Sequence, residues 1–223
     1  MKFLNNSEDD SQWLPISDLM TVLMAVFLII SIVFMIQIKS GANEYINTKN
    51  EIYKELITEF GDEDWADSIF IDSLDLSIKF ISPEILFDYN SFILKRDFKN
   101  ILDDFFPRYI NIISKDKFKN EIEEIIIEGH TDSQSSEITE DLRYFGNMEL
   151  SQNRAREVLK YSLLETLKEN NSNKKWARNR LAAHGLSYNR PYIVNNIVDN
   201  KKSRRVEFKI KLIAESKIYE LAR

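Results

Sequence analysis

"EEIIIEGHTD", Glu123–Asp132, decides how the rest of the chain is read. Three consecutive isoleucines, Ile125–Ile127, are too short an apolar run for a helix and close on a Gly-containing polar turn. That pattern predicts a strand buried in the middle of a sheet. Upstream, "DFKNILDDFFPRYINII" reads as an amphipathic helix. Downstream, "ELSQNRAREVLKYSLLETL" reads as a second helix, with Leu150, Ala155, Val158, Leu159 and Leu163 on one side. The polar run that starts at Ser133–Ser136 and Lys168–Lys175 both read as surface loops. "RNRLAAHGLSYNRP" gives a short strand and a loop, and "SRRVEFKIKLI" a last strand with Val206, Phe208, Ile210 and Ile213 roughly in step. "SIFIDSLDLSIKF" and "ILFDYN" read as short strands broken around Ser82 and Pro83. Strands alternating with helices imply an α/β or α+β sandwich with helices on one face of a mixed sheet.

The N-terminal part is of another kind. "WLPISDLMTVLMAVFLIISIVFMIQIK", Trp13–Lys39, carries no charge from Leu19 to Ile36. About 20 such residues cross a bilayer. A cleaved signal peptide is the competing reading, but the run is long, no small-x-small site follows it, and "MKFLNNSEDD" before it is acidic. Asp18 stands at the front edge of this run, and Thr21, Ala25 and Ser31 are read as sharing its face. A polar stripe on an apolar helix suits a helix–helix interface or an ion path. Two readings of Asp18 stay open: an interfacial residue that with Ser17 caps the helix after Pro15, or a carboxylate that binds and releases a proton or cation. Lys2 before the segment and Lys39 and Lys49 after it give no support to a cytoplasmic N-terminus. Beyond it, Ile46, Tyr53, Leu56 and Phe60 recur at helical spacing, as a short dimer seam or a half-buried linker helix. "FGDEDW" reads as that helix's stop, with Gly61 as its C-terminal cap.

Composition narrows the function. The 223 residues carry a net charge of -6, which leaves no basic footprint for nucleic acid. There is no cysteine and there are two histidines, too few for a His-built metal site, and the 5 glycines form no phosphate-binding spacing. No nucleophile–base pair or carboxylate dyad stands out, so an enzyme is not expected.

Four blocks in order, "IIIEGHTD", "NMELSQNRAREVL", "RLAAHGLSYNRP" and "SRRVEFKI", resemble the C-terminal peptidoglycan-binding domain of the OmpA/Pal/MotB family, over roughly Ser68 to Ile213. The pattern Trp13, Asp18, Thr21, Met24, Phe27 resembles the single membrane helix of MotB/ZorB-type stator subunits, ZorB being the type found in the Zorya anti-phage system. The resemblance implies an α+β protein: a short cytoplasmic tail (1–12), a transmembrane helix (13–38), a linker or amphipathic helix (39–67) and an OmpA-like sandwich domain (68–223) in the periplasm. It implies an inner-membrane homodimer inside a ring of a MotA/ZorA-like partner, five copies expected, with H⁺ or Na⁺ as the transported ion and no cofactor. Asp18 and Thr21 would carry the ion. Asp132 would hold the ammonium, and Arg154 the carboxylate, of diaminopimelate in the peptidoglycan stem, with Asn147 and Leu150 completing the pocket. The chemistry is apt in itself: a zwitterion needs one anion and one guanidinium, and Arg can bind bidentately. Arg154 is read as lying early in its helix, where the positive end would help. Turn, surface and core roles for Asp132, Arg154 and Leu150 are the alternatives. The chain departs from the family pattern by an insertion near Glu137–Tyr144, by Gly146 where an aromatic is common, with Tyr144 or Phe145 as substitutes, and by Ser203 ahead of Arg204 and Arg205, where the family usually has Asn. His130 is read as a structural turn residue.

Overall fold

The computed structural model describes residues 10–63, 65, 68–134, 139–167 and 172–221. The tail before residue 10, and with it part of the expected 1–12 segment, lies outside the described residues.

A single helix, α1 (Asp10–Phe60), forms the N-terminal quarter of the chain. At 1.5 Å per residue its 51 residues span about 75 Å. It holds one segment long and apolar enough to cross a membrane, with Leu19, Met24, Phe27 and Ile36 all exposed. The helix starts before Pro15, so Ser17 and Asp18 lie inside it and cap nothing. This corrects the capping reading of Asp18. Thr21 donates to the Ser17 carbonyl and Ser31 to that of Phe27, each bond 2.8 Å long. At about 100° per residue, Thr21 and Ala25 stay near the Asp18 face, whereas Ser31 is turned roughly 140° away and leaves the stripe.

The helix does not stop at the domain. Ile52, Leu56 and Phe60 are buried in the domain core and Tyr53 packs against it, while Ile46 stays 49% exposed. Three of the four residues read as a dimer seam thus face the chain's own core. Ion pairs fasten the same turns from outside: Glu59 with Arg108 (2.7 Å), and Glu55 with Lys115 and Lys117 (2.6 and 2.5 Å). Gly61 follows the last turn, but without a positive φ. A Cβ there would lie 2.6 Å from the Ile57 carbonyl oxygen, so close approach, and not a left-handed cap, is what glycine permits.

The domain is built on a five-stranded mixed sheet, β1 (Ile69–Asp72), β2 (Ser77–Phe80), β3 (Ile122–Gly129), β4 (Leu181–Gly185) and β7 (Val206–Leu212), in the order β1-β2-β7-β3-β4. Only β3 and β4 run parallel. The Ile125–Ile127 strand is interior, between β7 and the edge strand β4, while β7 holds the middle place. Ile125 sits opposite Ile210 and Ile127 opposite Phe208, so alternate residues share one face. That face is covered by the end of α1 and by α3 (Arg96–Ile113), whose Phe98, Phe105 and Tyr109 pack on Phe80 and Phe208 with ring centroids 5.2–5.9 Å apart. The second long helix, α4 (Glu140–Tyr161), ends in a π-helical turn, Ser162–Thr166, and lies against β3 and β4.

Several local expectations differ. "ILFDYN" forms a short helix, α2 (Pro83–Leu86), then a loop with a single bridge from Phe87 to Leu94, because Pro83 pre-sets a helical φ at a first turn. The supposed loop before Asn147 is helix from Glu140, where the Thr139 hydroxyl accepts the Leu142 N–H (3.3 Å) with Glu140 and Asp141 in the first turn. Of the loop read at Lys168–Lys175, Lys174 and Lys175 open helix α5 (Lys174–Arg178). Ile213 leaves the last strand and starts α7 (Ile213–Leu221), which packs against α1. A hairpin, β5 (Ile193–Val194) and β6 (Ile197–Val198), and the turn α6 (Asn200–Ser203) precede β7.

Candidate ligand-binding cavity

Close packing between α4 and the sheet sets the site. Gly129 on β3 and Gly185 on β4 are paired in register. A Cβ on Gly129 would fall 2.2 Å from the Ser151 carbonyl oxygen, and one on Gly185 would fall 2.4 Å from the Gln152 nitrogen. Only glycine lets the helix backbone come this near. Gln152 then pairs its amide with the edge strand, donating to the Ala183 carbonyl (3.1 Å) and accepting the Gly185 N–H (2.7 Å). Buried Ser151 accepts the Ser187 N–H at 3.0 Å. Gly129→Ala should cost about 1–3 kcal/mol, since a packed backbone must move. Denaturant unfolding of the full chain in detergent checks this; wild-type stability would show that α4 has room to retreat.

With α4 so placed, Asp132, Asn147, Leu150 and Arg154 all line one cavity of about 710 Å³, which reaches the α2–α3 loop on its far wall. Asp132 is buried. Its Oδ1 accepts the Gln134 N–H (3.2 Å) and its Oδ2 accepts from Arg204 Nη1 (2.6 Å). Arg154 is 6% exposed. Its Nε donates to the Ser91 carbonyl (2.8 Å), its Nη2 reaches that of Asp88 (3.5 Å), and its guanidinium lies 4.8 Å from the centre of the Phe87 ring. Burial first, and then the charge of Arg204, push Arg154 down to about 10, with Asp132 opposing; it stays protonated at neutral pH. Asn147 is buried and donates to the Arg143 carbonyl (3.0 Å), and Leu150 is half-buried at the wall.

Two expectations need correction. Arg154 is about four turns into α4, not early in it, so the helix dipole does not act at the guanidinium. Neither Tyr144 nor Phe145 is among the lining residues; Gly146 itself borders the cavity, while Tyr144 packs against Tyr188 and Phe145 is 66% exposed. Of the insertion near Glu137–Tyr144, the described part is the Thr139 cap and the opening turns of α4, and residues 137–138 lie outside the described residues. Ser203, in the place of the family's Asn, accepts the Tyr192 N–H (2.9 Å) and donates to the Asp199 carbonyl (2.7 Å), holding the turn that aims the two arginines.

His130 is buried at the same end of the sheet, its Nε2 3.5 Å from both Glu128 and Glu207. This is metal-ligand spacing. Yet Arg205 Nε already donates to Glu207 Oε1 (2.5 Å), and Arg190 lies 3.5 Å from Glu128 Oε2, so a divalent ion would meet two guanidiniums. Burial lowers the His130 pKa and favours the neutral ring. Burial works against the Glu128 charge, but His130, Lys209 and Arg190 outweigh it and keep its pKa low. With His130 neutral, the charges of the cluster are paired as Glu207 with Arg205 and Glu128 with Arg190.

Nothing in the sequence marks Arg204, or the α2–α3 loop carbonyls that receive Arg154, as part of the cavity. Only the antiparallel pairing of β3 with β7, which sets the residues before Val206 beside those after Gly129, would have brought Arg204 to Asp132.

Residues 86–205 match the model of the OmpA family. The chain is 39% identical over 225 residues to the Zorya protein ZorB of Escherichia coli (strain Crooks), covering 96% of this chain and 93% of that protein. It is 27% identical over 209 residues to a Zorya protein ZorB of Escherichia coli O139:H28, covering 89% and 79%. Among solved structures, a MotB-like protein from Desulfovibrio vulgaris has the same fold, with a TM-score of 0.54 at 24% identity over 76% of this chain and 98% of that one. The glycine-seated helix, the mixed sheet and the long apolar α1 therefore fall within a known frame: the chain belongs to the OmpA family and, within it, to the family of Zorya protein ZorB.

Proposed function

We propose that this chain is the wall-anchored stator subunit of an ion-driven rotary motor in the bacterial inner membrane, serving anti-phage defence of the Zorya type. The observation that carries the reading is the continuity of α1: one helix joins the apolar Asp18 segment to the core of the domain that holds the Asp132/Arg154 cavity. Membership of the ZorB family supports it. Two copies pair through the Asp18 helix, inside a ring of five copies of a MotA/ZorA-like protein. The N-terminus is cytoplasmic and the domain periplasmic. A proton, or Na⁺, binds at Asp18 beside Thr21 and crosses, driven by about 2.3 kcal/mol per charge per 100 mV. The role is anchoring and ion passage, not catalysis.

At the wall, Asp132 takes the ammonium and Arg154 the carboxylate of the stem's diaminopimelate, with Asn147 and Leu150 shaping the pocket. The test is co-sedimentation of the full chain in detergent with purified peptidoglycan. Asp132→Ala and Arg154→Ala should each weaken binding by about tenfold or more, since a hydrogen bond to a charged group contributes about 1.5–3 kcal/mol. Sedimentation equal to wild type in both would overturn the pocket.

A further inference from the structure

Both oxygens of Asp132 are engaged, Oδ2 by Arg204. An ammonium arriving at Asp132 therefore meets a guanidinium in its place. Exposure says which must yield: Asp132 is 8% exposed, whereas Arg204 is 33% exposed and the freer to move. Two other charged residues of the lining, Lys95 and Glu84, already have partners: Lys95 lies 3.1 Å from Asp88, and Glu84 lies 2.7 Å from Lys201. Arg154 differs, since the bonds of its guanidinium go to backbone carbonyls. Arg154 and Arg204 are close enough that the second charge depresses the pKa of the first. Among the described residues Arg154 forms no ion pair and Arg204 pairs with Asp132 alone, so an anion that reaches both guanidiniums is what the arrangement can take.

Taking the diaminopimelate reading above as its basis, we infer that Arg204 is itself a ligand-contacting residue: the zwitterionic end of the stem opens the Asp132–Arg204 ion pair and inserts into it. The ligand ammonium takes the place of Arg204 on Asp132. The ligand carboxylate bridges Arg204 and Arg154. Charge is conserved at each step, because each half of the broken pair gains a partner of the same sign as the one it lost. Arg204 also lies in the field of Glu84, so its outward position has a carboxylate nearby. A zwitterion satisfies this arrangement, whereas a simple amine would have to evict Arg204 and give it nothing in return. Selectivity for a free amino-acid end over a side-chain amine follows.

The experiment compares two soluble stem tripeptides by titration calorimetry on the full chain in detergent, one ending in diaminopimelate with its free carboxylate and one with that carboxylate amidated. Wild type should prefer the free acid. Arg204→Gln keeps a hydrogen-bond donor toward Asp132 and removes the charge. It should weaken the free-acid peptide by about ten- to a hundredfold, the span expected for a charge-assisted contact, and bind the amidated peptide as well as wild type or better. Equal weakening of both peptides would reduce Arg204 to a support for Asp132 and overturn the inference. So would unchanged or tighter binding of the free acid, which would mark Arg204 as a competitor only. If wild type binds neither peptide, the diaminopimelate reading itself fails, a result distinct from the other two. An Arg204→Lys chain, with the charge kept and the fork lost, should fall between wild type and Gln and shows that the site still folds.

Discussion

Asp18→Asn is expected to abolish ion flux through the assembled complex, down to the background of a membrane lacking the chain, while leaving the protein level and peptidoglycan binding unchanged. Asparagine keeps the shape and polarity of the side chain but cannot exchange a proton, so the substitution isolates ionisation from packing. The position makes the test clean. Asp18 lies inside α1, beyond its first turn, exposed like the rest of an otherwise apolar segment and far along the helix from the domain core. A carboxylate costs about 2.5–3.5 kcal/mol at the centre of a bilayer, less near its surface, and that expense suits a group that works. If the chain were only a wall anchor with Asp18 at the interface, Asp18→Asn would be silent and Asp132→Ala would still release it from the wall. Flux recordings on the complex with its ring-forming partner separate the two, and undiminished current in the Asn variant would end the motor reading.

The sequence made some of this legible and hid the rest for physical reasons. Ile125–Ile127 betrayed an interior strand because three β-branched residues in a row, bounded by polar ones, fit a short buried strand and are too few for a helix. The apolar span was plain because lipid demands every face be greasy. Asp132, Asn147, Leu150 and Arg154 line one cavity, but polar Glu140–Gly146 reads as loop and belongs to α4, so Arg154 stands deeper in its helix than its sequence suggests. Charge along an exposed face cannot distinguish a loop from a capped helix unless the cap, here Thr139, is noticed. The Asp132–Arg204 pair lies across 72 residues and depends on sheet order, which periodicity does not encode. The amphipathic pattern of Tyr53, Leu56 and Phe60 showed that one face is buried but not against what; a partner helix and the chain's own core leave the same spacing.

That last ambiguity carries a mechanical consequence, which Phe60→Ala tests. Phe60 has no exposed surface, its ring lies 5.0 Å from that of Phe105 and 5.9 Å from that of Trp65, and the Arg108 guanidinium sits 5.1 Å from its centre. Truncating it should cost about 3–5 kcal/mol by denaturant unfolding of the full chain in detergent, the range for a buried Phe. Ile46→Ala, on the exposed side of the same helix, should change stability by no more than about 0.5 kcal/mol. Equal, small effects would mean that α1 is merely laid beside the domain. If the large difference holds, α1 enters the core as a strut. From Lys39 to Ile52 it spans only about 20 Å, with no break in the helix. On the proposed mechanism, torque generated at Asp18 would then reach the proposed wall-binding cavity through bonded helix and packed aromatics, and Phe60→Ala should lose motor output at temperatures where the isolated chain still binds peptidoglycan. Loss of both activities together would place the failure in the domain as a whole and not in its joint with the helix.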